Sequence, residues 1–489
     1  MASELWREER LLIDGKLVEA TGGATYDNVD PATEQVIGIA ADAADRDVDA
    51  AVASARTAFD TTTWPTDVGL RVRCLRQLQD ALQRHADELR PTLVAEVGTP
   101  VALTYSAQLD TPIAGLAYAA DLAESYAWRS ELGVAEGFGG GATRAVVREP
   151  AGVVAAIVPW NFPMQIQLAK VGPALAAGCT VVLKAAPATP WTAALLGRIA
   201  VEETDLPPGV LNVITSSRNA AGQRLVEDPR VDVVSFTGST ATGRAIMATA
   251  APTVKRLFLE LGGKSALVAL DDADLELAAT IAAFNITTHA GQGCAVTSRL
   301  LLPRDRYDEG VEAVVRTLGA IPYGDPTNPG NLMGPLISEP QRRRVLDHVA
   351  SAVDAGGTVA TGGGVPAHLP TGYYVEPTVL TGLPPDARAV REEIFGPVLC
   401  VLPHDGDDHA VALANDSDYG LSGGVVATDL DRARAVAARL RTGTVSINGG
   451  QWYAPDVPFG GYKQSGVGRE SGVAGFEEYL ETKSIAEPA

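Results

Sequence analysis

Cysteine is scarce in this chain: four among 489 residues, at Cys74, Cys179, Cys294 and Cys400, widely spaced and with no CxxC pair. That spacing argues against a structural zinc site and against a disulfide scaffold. The six histidines form no HExxH or paired pattern, so a histidine-rich site lacks support and no metal is expected. Positive charge is in deficit. Thirty-nine Lys and Arg stand against 60 Asp and Glu, a net charge of −21, which disfavours non-specific binding to nucleic acid or an anionic membrane. No run approaches ~18 uninterrupted apolar residues, so no membrane span is expected. The opening MASELWREERLLIDG carries charges where a secretory leader needs an apolar stretch. No internal repeat or low-complexity tract stands out. What remains is an ordinary globular composition, 46% hydrophobic and 20% charged, in a chain too long for one core. Two or three domains, in a cytoplasmic enzyme, are the expectation.

RLLIDGKLVEA reads as an opening hairpin turning at Asp14-Gly15. Helical patterns follow, roughly over 47–59 and 70–96. From AGVVAAIVPW onward, short continuously apolar runs alternate with helical ones. The strands are 152–158, 180–184, 210–214, 231–236 and 256–260; the helices begin at Pro163, Pro190, about 219 and Thr240. This pattern predicts a parallel sheet covered on both faces, a doubly wound α/β nucleotide-binding architecture with ligands at the strand ends. The alternation resumes from SALVAL through GTVSIN, long enough for a second α/β domain. The tail ends in a strand-like piece with no obvious partner nearby, a kind of edge that often pairs with another subunit.

Six stretches could carry chemistry. In THAGQGCAVTSR, Cys294 sits among Gly291, Gly293 and Ala295, which leave room for a substrate and let backbone N–H groups approach. The other three cysteines suit packing. A nucleophilic thiol needs a base or an electropositive pocket to lower its pKa from about 8.5. In VPWNFP, at the end of a core strand, Asn161 either makes a turn or offers its amide as an oxyanion donor. SFTGSTATGRA is strand, glycine-rich turn and helix. It is neither GxGxxG nor a Walker loop, yet it suits an anion at a helix N-terminus. In LELGGKS, Glu260 is either a solvated charge or a carboxylate in a crevice, where burial raises its pKa toward that of a general base. EEIFGPV and PFGGYKQSGVGRE each pass individually for a turn.

Together the six stretches resemble the aldehyde dehydrogenase superfamily. The resemblance runs from about Val18 to Lys483, with the motifs in the same order and at similar gaps. It implies that Cys294 adds to an aldehyde carbon to give a thiohemiacetal. The oxyanion would be held by the Asn161 side chain and the Cys294 backbone N–H. Hydride transfer to a nicotinamide would leave a thioester, and Glu260 would activate the water that hydrolyses it. Ser239 and the turn at Gly238 would meet the cofactor pyrophosphate, and Lys184 the adenosine ribose. Glu393 would hold the nicotinamide ribose, with Phe395 and Leu261 near the ring and Trp160 beside the cleft. Val158, Pro159, Gly209, Phe236, Thr237, Thr242 and Gly262 complete the implied cofactor set.

The family fold implies two doubly wound α/β domains. A Rossmann-like cofactor domain would span 1–125 and 144–260, and a catalytic domain 261–469. A β oligomerisation element would comprise 126–143 and 470–489, in a homodimer or homotetramer. Glu260 favours hydrolysis, since members that pass the acyl group to coenzyme A generally lack it. One departure concerns the cofactor. Many members read KPSE where this chain has KAAP, so Pro187 replaces a carboxylate that favours NAD over NADP. NADP is then tolerated, but no arginine stands beside Lys184 to clamp a phosphate, and NAD is favoured. Trp452 and Tyr453 either wall an apolar tunnel or pack against a neighbouring subunit. The only arginine near Cys294 is Arg299, which serves equally well as a structural residue. An uncharged aliphatic or aromatic aldehyde is the expected substrate. A coenzyme A-acylating enzyme, a non-catalytic dinucleotide-binding protein and a cofactor-free thiol esterase are the competing readings.

Overall fold

In the run of residues from Val153 to Ile157, side chains point alternately to two faces, and both are apolar. Val154 and Ala156 join one buried cluster, while Val153, Ala155 and Ile157 join another. A strand apolar on both faces has to sit inside a sheet covered on both sides. The computed structural model, which describes residues 5–489, places it there; residues 1–4 of the expected 1–125 segment lie outside the described residues.

The first sheet has eight strands. Its five parallel central ones are ordered Leu211–Ile214, Thr180–Lys184, Val153–Ile157, Val233–Thr237 and Arg256–Glu260. In chain order that is 3-2-1-4-5, so the winding reverses between Val153–Ile157 and Val233–Thr237. A crevice opens at such a reversal, outside the carboxyl ends of the strands. VPWNFP and TGST are the two loops that leave it. The opening hairpin, Leu11–Ile13 with Lys16–Val18, adds antiparallel to one edge, and the short Gly466–Val467 adds to the other.

Local chemistry sets the helices around the crevice. Pro163 and Pro190 occupy first-turn positions, where a missing N–H costs nothing. Gly178, at φ 97°, ends the helix Pro163–Ala177 in the left-handed region and returns the chain to the next strand. Ser239 caps the helix Thr240–Ala250, its Oγ accepting from the Thr242 N–H at 3.2 Å. The helical pattern expected over 70–96 divides into Val68–Arg84 and Ala86–Val97. The cause is His85, which leaves helical geometry at φ −95°, ψ 5°.

A second sheet of seven strands is ordered Thr358–Thr361, Thr378–Thr381, Val398–His404, Arg299–Pro303, Ala266–Ala269, Ser422–Val426 and Thr444–Ile447. All but the first are parallel, again with an apolar cluster on each face. The mixed α/β class with two such sheets is the one expected. A third, antiparallel sheet joins Arg129–Gly137, Gly140–Pro150 and Leu480–Pro488. The terminal strand, which the family resemblance implies pairs with a β-ribbon near 126–143, pairs along nine positions with Gly140–Pro150 of its own chain, a strand that runs seven residues beyond that ribbon. Tyr479 and Leu480, buried in the first sheet's core, bring it there. Among the described residues no helix is long and apolar enough to cross a membrane.

Candidate active site

The crevice at the winding reversal is a cavity of about 1200 Å³. Val158, Pro159, Trp160, Lys184, Phe236, Thr237, Gly238, Ser239 and Thr242 line it, together with Pro187. Nine of the expected cofactor residues thus come together from four separate loops and strands. The cavity continues into a second one of about 720 Å³, where Asn161, Leu261, Gly262, Glu393 and Phe395 meet Cys294. Trp160 and Phe395 frame that junction edge to face, with ring centroids 5.4 Å apart. Gly209 does not belong to it. It precedes the strand Leu211–Ile214 at the opposite end of the sheet, and its missing side chain makes room for Ser54 and Ala58.

The backbone before Cys294 is unusual. His289, Ala290 and Gly291 are all left-handed, at φ 49°, 53° and 69°. Two non-glycine residues in that region mark strain held by the surroundings. At Gly291 no side chain fits at all, since a Cβ would lie 2.2 Å from the Gly396 carbonyl oxygen. Gln292 anchors the turn: its Oε1 accepts from the Ile337 N–H at 2.9 Å, and its Nε2 donates to the His289 carbonyl at 3.1 Å. The Gln292 carbonyl in turn accepts from Asn161 Nδ2 at 2.8 Å, while Gln108 Nε2 donates to the Asn161 carbonyl at 2.9 Å. Side chain and backbone of Asn161 are therefore both tied down. One amide hydrogen is used, and the second remains for a ligand.

Glu260 ends its strand fully buried, and neither carboxylate oxygen accepts a hydrogen bond from a described residue. Burial first, then the charge of Glu470, push its carboxyl well above the ordinary range, against the opposing pull of Lys170 and Arg469. Lys170 donates to Glu470 at 3.2 Å and to Ser235 at 3.1 Å, a buried charged pair behind the site. Cys294 is raised too, by burial and then by Glu260, Glu393 and Glu470. His289, fully buried in the same loop, is pushed down to about 3 by that burial. It therefore stays neutral at neutral pH.

The residues fit a dinucleotide. The N-terminus of the helix Thr240–Ala250 opens onto the larger cavity and suits an anion. Lys184 lies in the same wall, its Nζ bonded only to the Ala185 carbonyl, and burial lowers it to about 8. Glu393 accepts from the Gly263 N–H at 3.0 Å, and a side chain at Gly262 would lie 2.4 Å from its Oε2. Among the described residues no group of three His, Cys, Asp or Glu side chains could hold a metal ion.

The family profile described as "Aldehyde dehydrogenase family" matches residues 17–485. The chain belongs to the aldehyde dehydrogenase family. A 3-succinoylsemialdehyde-pyridine dehydrogenase from a Pseudomonas species is 42% identical over 97% of both chains. Among solved structures, a mutant aldehyde dehydrogenase C from Pseudomonas syringae, complexed with NAD+ and octanal, superposes with a TM-score of 0.93. It is 37% identical over 98% of both chains. The betaine aldehyde dehydrogenase of Staphylococcus aureus, in complex with NAD+, gives a TM-score of 0.95 at 35% identity, over 98% of this chain and 95% of that one.

Several residues of this aldehyde dehydrogenase's site carried no sequence signal. Gln341 and Arg344 line the second cavity from within EPQRRRVLDHV, which looks like an ordinary charged surface helix. Gln108 in YSAQLD has no motif around it. Lys170 and Glu470 are 300 residues apart in the sequence, and only packing makes them a pair.

Proposed function

We propose that this aldehyde dehydrogenase oxidises its substrate through a covalent adduct on Cys294, with NAD as the favoured cofactor. The Cys294 sulfur adds to the aldehyde carbon as its proton passes to the Glu260 carboxylate, which releases it to solvent before hydrolysis. The resulting oxyanion is stabilised by the free amide hydrogen of Asn161 and the Cys294 N–H, where one such donor contributes about 2.7–4 kcal/mol in the transition state. Bound NAD+ is the hydride acceptor. Glu260 then takes a proton from water, whose oxygen attacks the thioester; the carbon–sulfur bond breaks and the carboxylic acid leaves. The single observation that carries this reading is that Cys294 and Asn161 line the inner end of a dinucleotide-sized cavity, while Glu260, buried with both oxygens free just before the lining residue Leu261, is near enough for its charge to act on the Cys294 thiol. The same unpaired carboxylate supports hydrolysis over transfer to coenzyme A.

Ser239 and Gly238 are assigned to the pyrophosphate, Lys184 to the adenosine ribose and Glu393 to the nicotinamide ribose. Pro187 lines the cavity beside Lys184 and brings no carboxylate, which supports tolerance of NADP. The first sheet is assigned to the cofactor domain, the second to the catalytic domain and the third to assembly of a homodimer or homotetramer. Four free cysteines are consistent with a reducing compartment such as the cytoplasm.

The test is reduced-cofactor formation from an aldehyde, with NAD and NADP side by side and no coenzyme A. Activity is expected with NAD and is lost in Cys294→Ala, whose fold should remain intact by circular dichroism. Turnover near wild type in that variant would remove Cys294 as the nucleophile, and activity only on adding coenzyme A would remove Glu260 as the hydrolytic base.

A further inference from the structure

A third cavity, of about 650 Å³, lies between the helices Asp110–Ser125 and Pro163–Ala177. Leu116, Ala119, Leu168, Ala169 and Phe476 give it apolar walls, and Tyr453 and Gln165 close one end. No Lys, Arg, His, Asp or Glu side chain is among the lining residues; its polar members are hydroxyls and one amide.

The closed end points at the reactive centre. Tyr453 packs against Phe459, with ring centroids 6.0 Å apart, and the next residue, Gly460, lies against Glu260: a Cβ there would sit 2.6 Å from its Oε1. Burial first and then the charge of Glu470 raise the Tyr453 hydroxyl, and Cys294 and Glu260 lie close enough to add to it. From the other wall, Phe162 begins the turn into the Pro163–Ala177 helix and lies 4.0 Å from where a side chain on Gly293, the neighbour of Cys294, would stand. The end of the cavity at Tyr453 therefore lies toward Cys294 and Glu260.

Its walls are set by small residues. A Cβ on Gly172 would lie 2.9 Å from Leu116, and one on Gly115 would lie 3.3 Å from Pro455. Ala169 is half-buried and faces the open space. The nearest acid at the rim, Asp456, is exposed; it affects the Tyr118 hydroxyl but does not line the cavity. A solvated rim charge is screened, whereas a charged group carried into the apolar cavity finds no counter-ion.

We propose that this cavity takes the body of an uncharged aldehyde with an extended apolar tail, and that it selects such substrates over short or charged ones. The inference rests on the aldehyde-oxidising reading above. Each methylene that leaves water for the cavity should raise kcat/KM by roughly fourfold until the space is filled. The trend falls mainly in KM, because the tail is bound equally in the ground and transition states.

The experiment measures kcat/KM with NAD for propanal, pentanal and octanal, with betaine aldehyde and succinic semialdehyde as cationic and anionic comparators. The expected result is a rise of at least about a hundredfold from propanal to octanal, with both charged aldehydes below octanal. Ala169→Trp, which fills the open wall, should lower the octanal-to-propanal ratio at least tenfold, and Ala169→Leu should lower it less. Should the tryptophan variant fail to fold, the leucine variant and the wild-type series decide the matter. A flat series, a charged aldehyde as the best substrate, or an unchanged ratio in a folded Ala169 variant would overturn the proposal while propanal turnover still upheld the aldehyde-oxidising reading. Absence of turnover with every aldehyde would instead overturn that reading, and this one with it.

Discussion

In the proposed reaction Asn161 serves the substrate oxygen and Glu260 the attacking water, and their surroundings differ accordingly. Asn161 is neutral and clamped, which suits a donor that has to be in place before charge develops. Asn161→Ala should lower kcat/KM by about 10²–10³. Gln108 acts only through Asn161, so Gln108→Leu should cost about tenfold in the wild-type background and nothing further in Asn161→Ala. Steady-state kinetics of the four-member mutant cycle measures this, and equal losses in both backgrounds would mean that Gln108 merely supports the fold. Glu260, by contrast, is buried without partners and has its carboxyl raised. A protonated carboxyl takes no proton from water, so hydrolysis should rise with pH through that raised value. Glu260→Gln should abolish this limb and leave a rapid burst of reduced cofactor followed by slow turnover. A stopped-flow trace with no burst and an unchanged pH profile would count against the assignment.

At the scale of elements, one buried carboxylate organises the far side of the first sheet. Glu96, in the helix Ala86–Val97, accepts from the Trp191 and Thr192 N–H groups at 3.0 and 2.8 Å and from Asn28 Nδ2 at 3.1 Å, and it also bonds the Thr192 hydroxyl. It thereby caps the helix Pro190–Glu203 from outside that helix. Each buried donor left unpaired costs about 1–3 kcal/mol, so Glu96→Ala should lose at least ~3 kcal/mol in urea unfolding. Burial raises Glu96 from 4.5 to about 7, so the folded state favours its protonated form. Its favourable contribution is then fully present below the unfolded value and is lost as pH rises through about 7, and Glu96→Gln should flatten the fall in stability over that window. None of this was legible in the sequence. LVAEVGTP shows a glutamate in an apolar helix, but nothing says that Trp191 and Thr192 await it.

For the whole molecule, the third sheet is the surface to test. Leu132 and Val134 are 54% and 60% exposed on it, and Ile485 is 40% exposed, an apolar patch on an otherwise strongly acidic chain. If this sheet joins subunits, the double variant Leu132→Glu, Val134→Glu should reduce the mass seen by light scattering to that of a monomer. An unchanged oligomer would place the interface elsewhere.

By itself the sequence determined the two α/β sheets and the loops that line the crevice, and it singled out Cys294 as the candidate thiol. Continuous apolar runs such as VVAAI have only one stable place, inside a covered parallel sheet. The glycines of TGST and GQGC mark where the chain packs too closely for a side chain, against the Phe236 ring at Gly238 and the Gly396 carbonyl at Gly291. Only the tertiary structure decided the state of those groups. That Glu260 is unpartnered, that Asn161 is held through Gln108 and Gln292, and that Gly209 lies at the wrong end of its strand all depend on residues distant in the chain. Electrostatic environment and cavity shape are properties of packing between such residues, and periodicity along a strand or helix does not encode them.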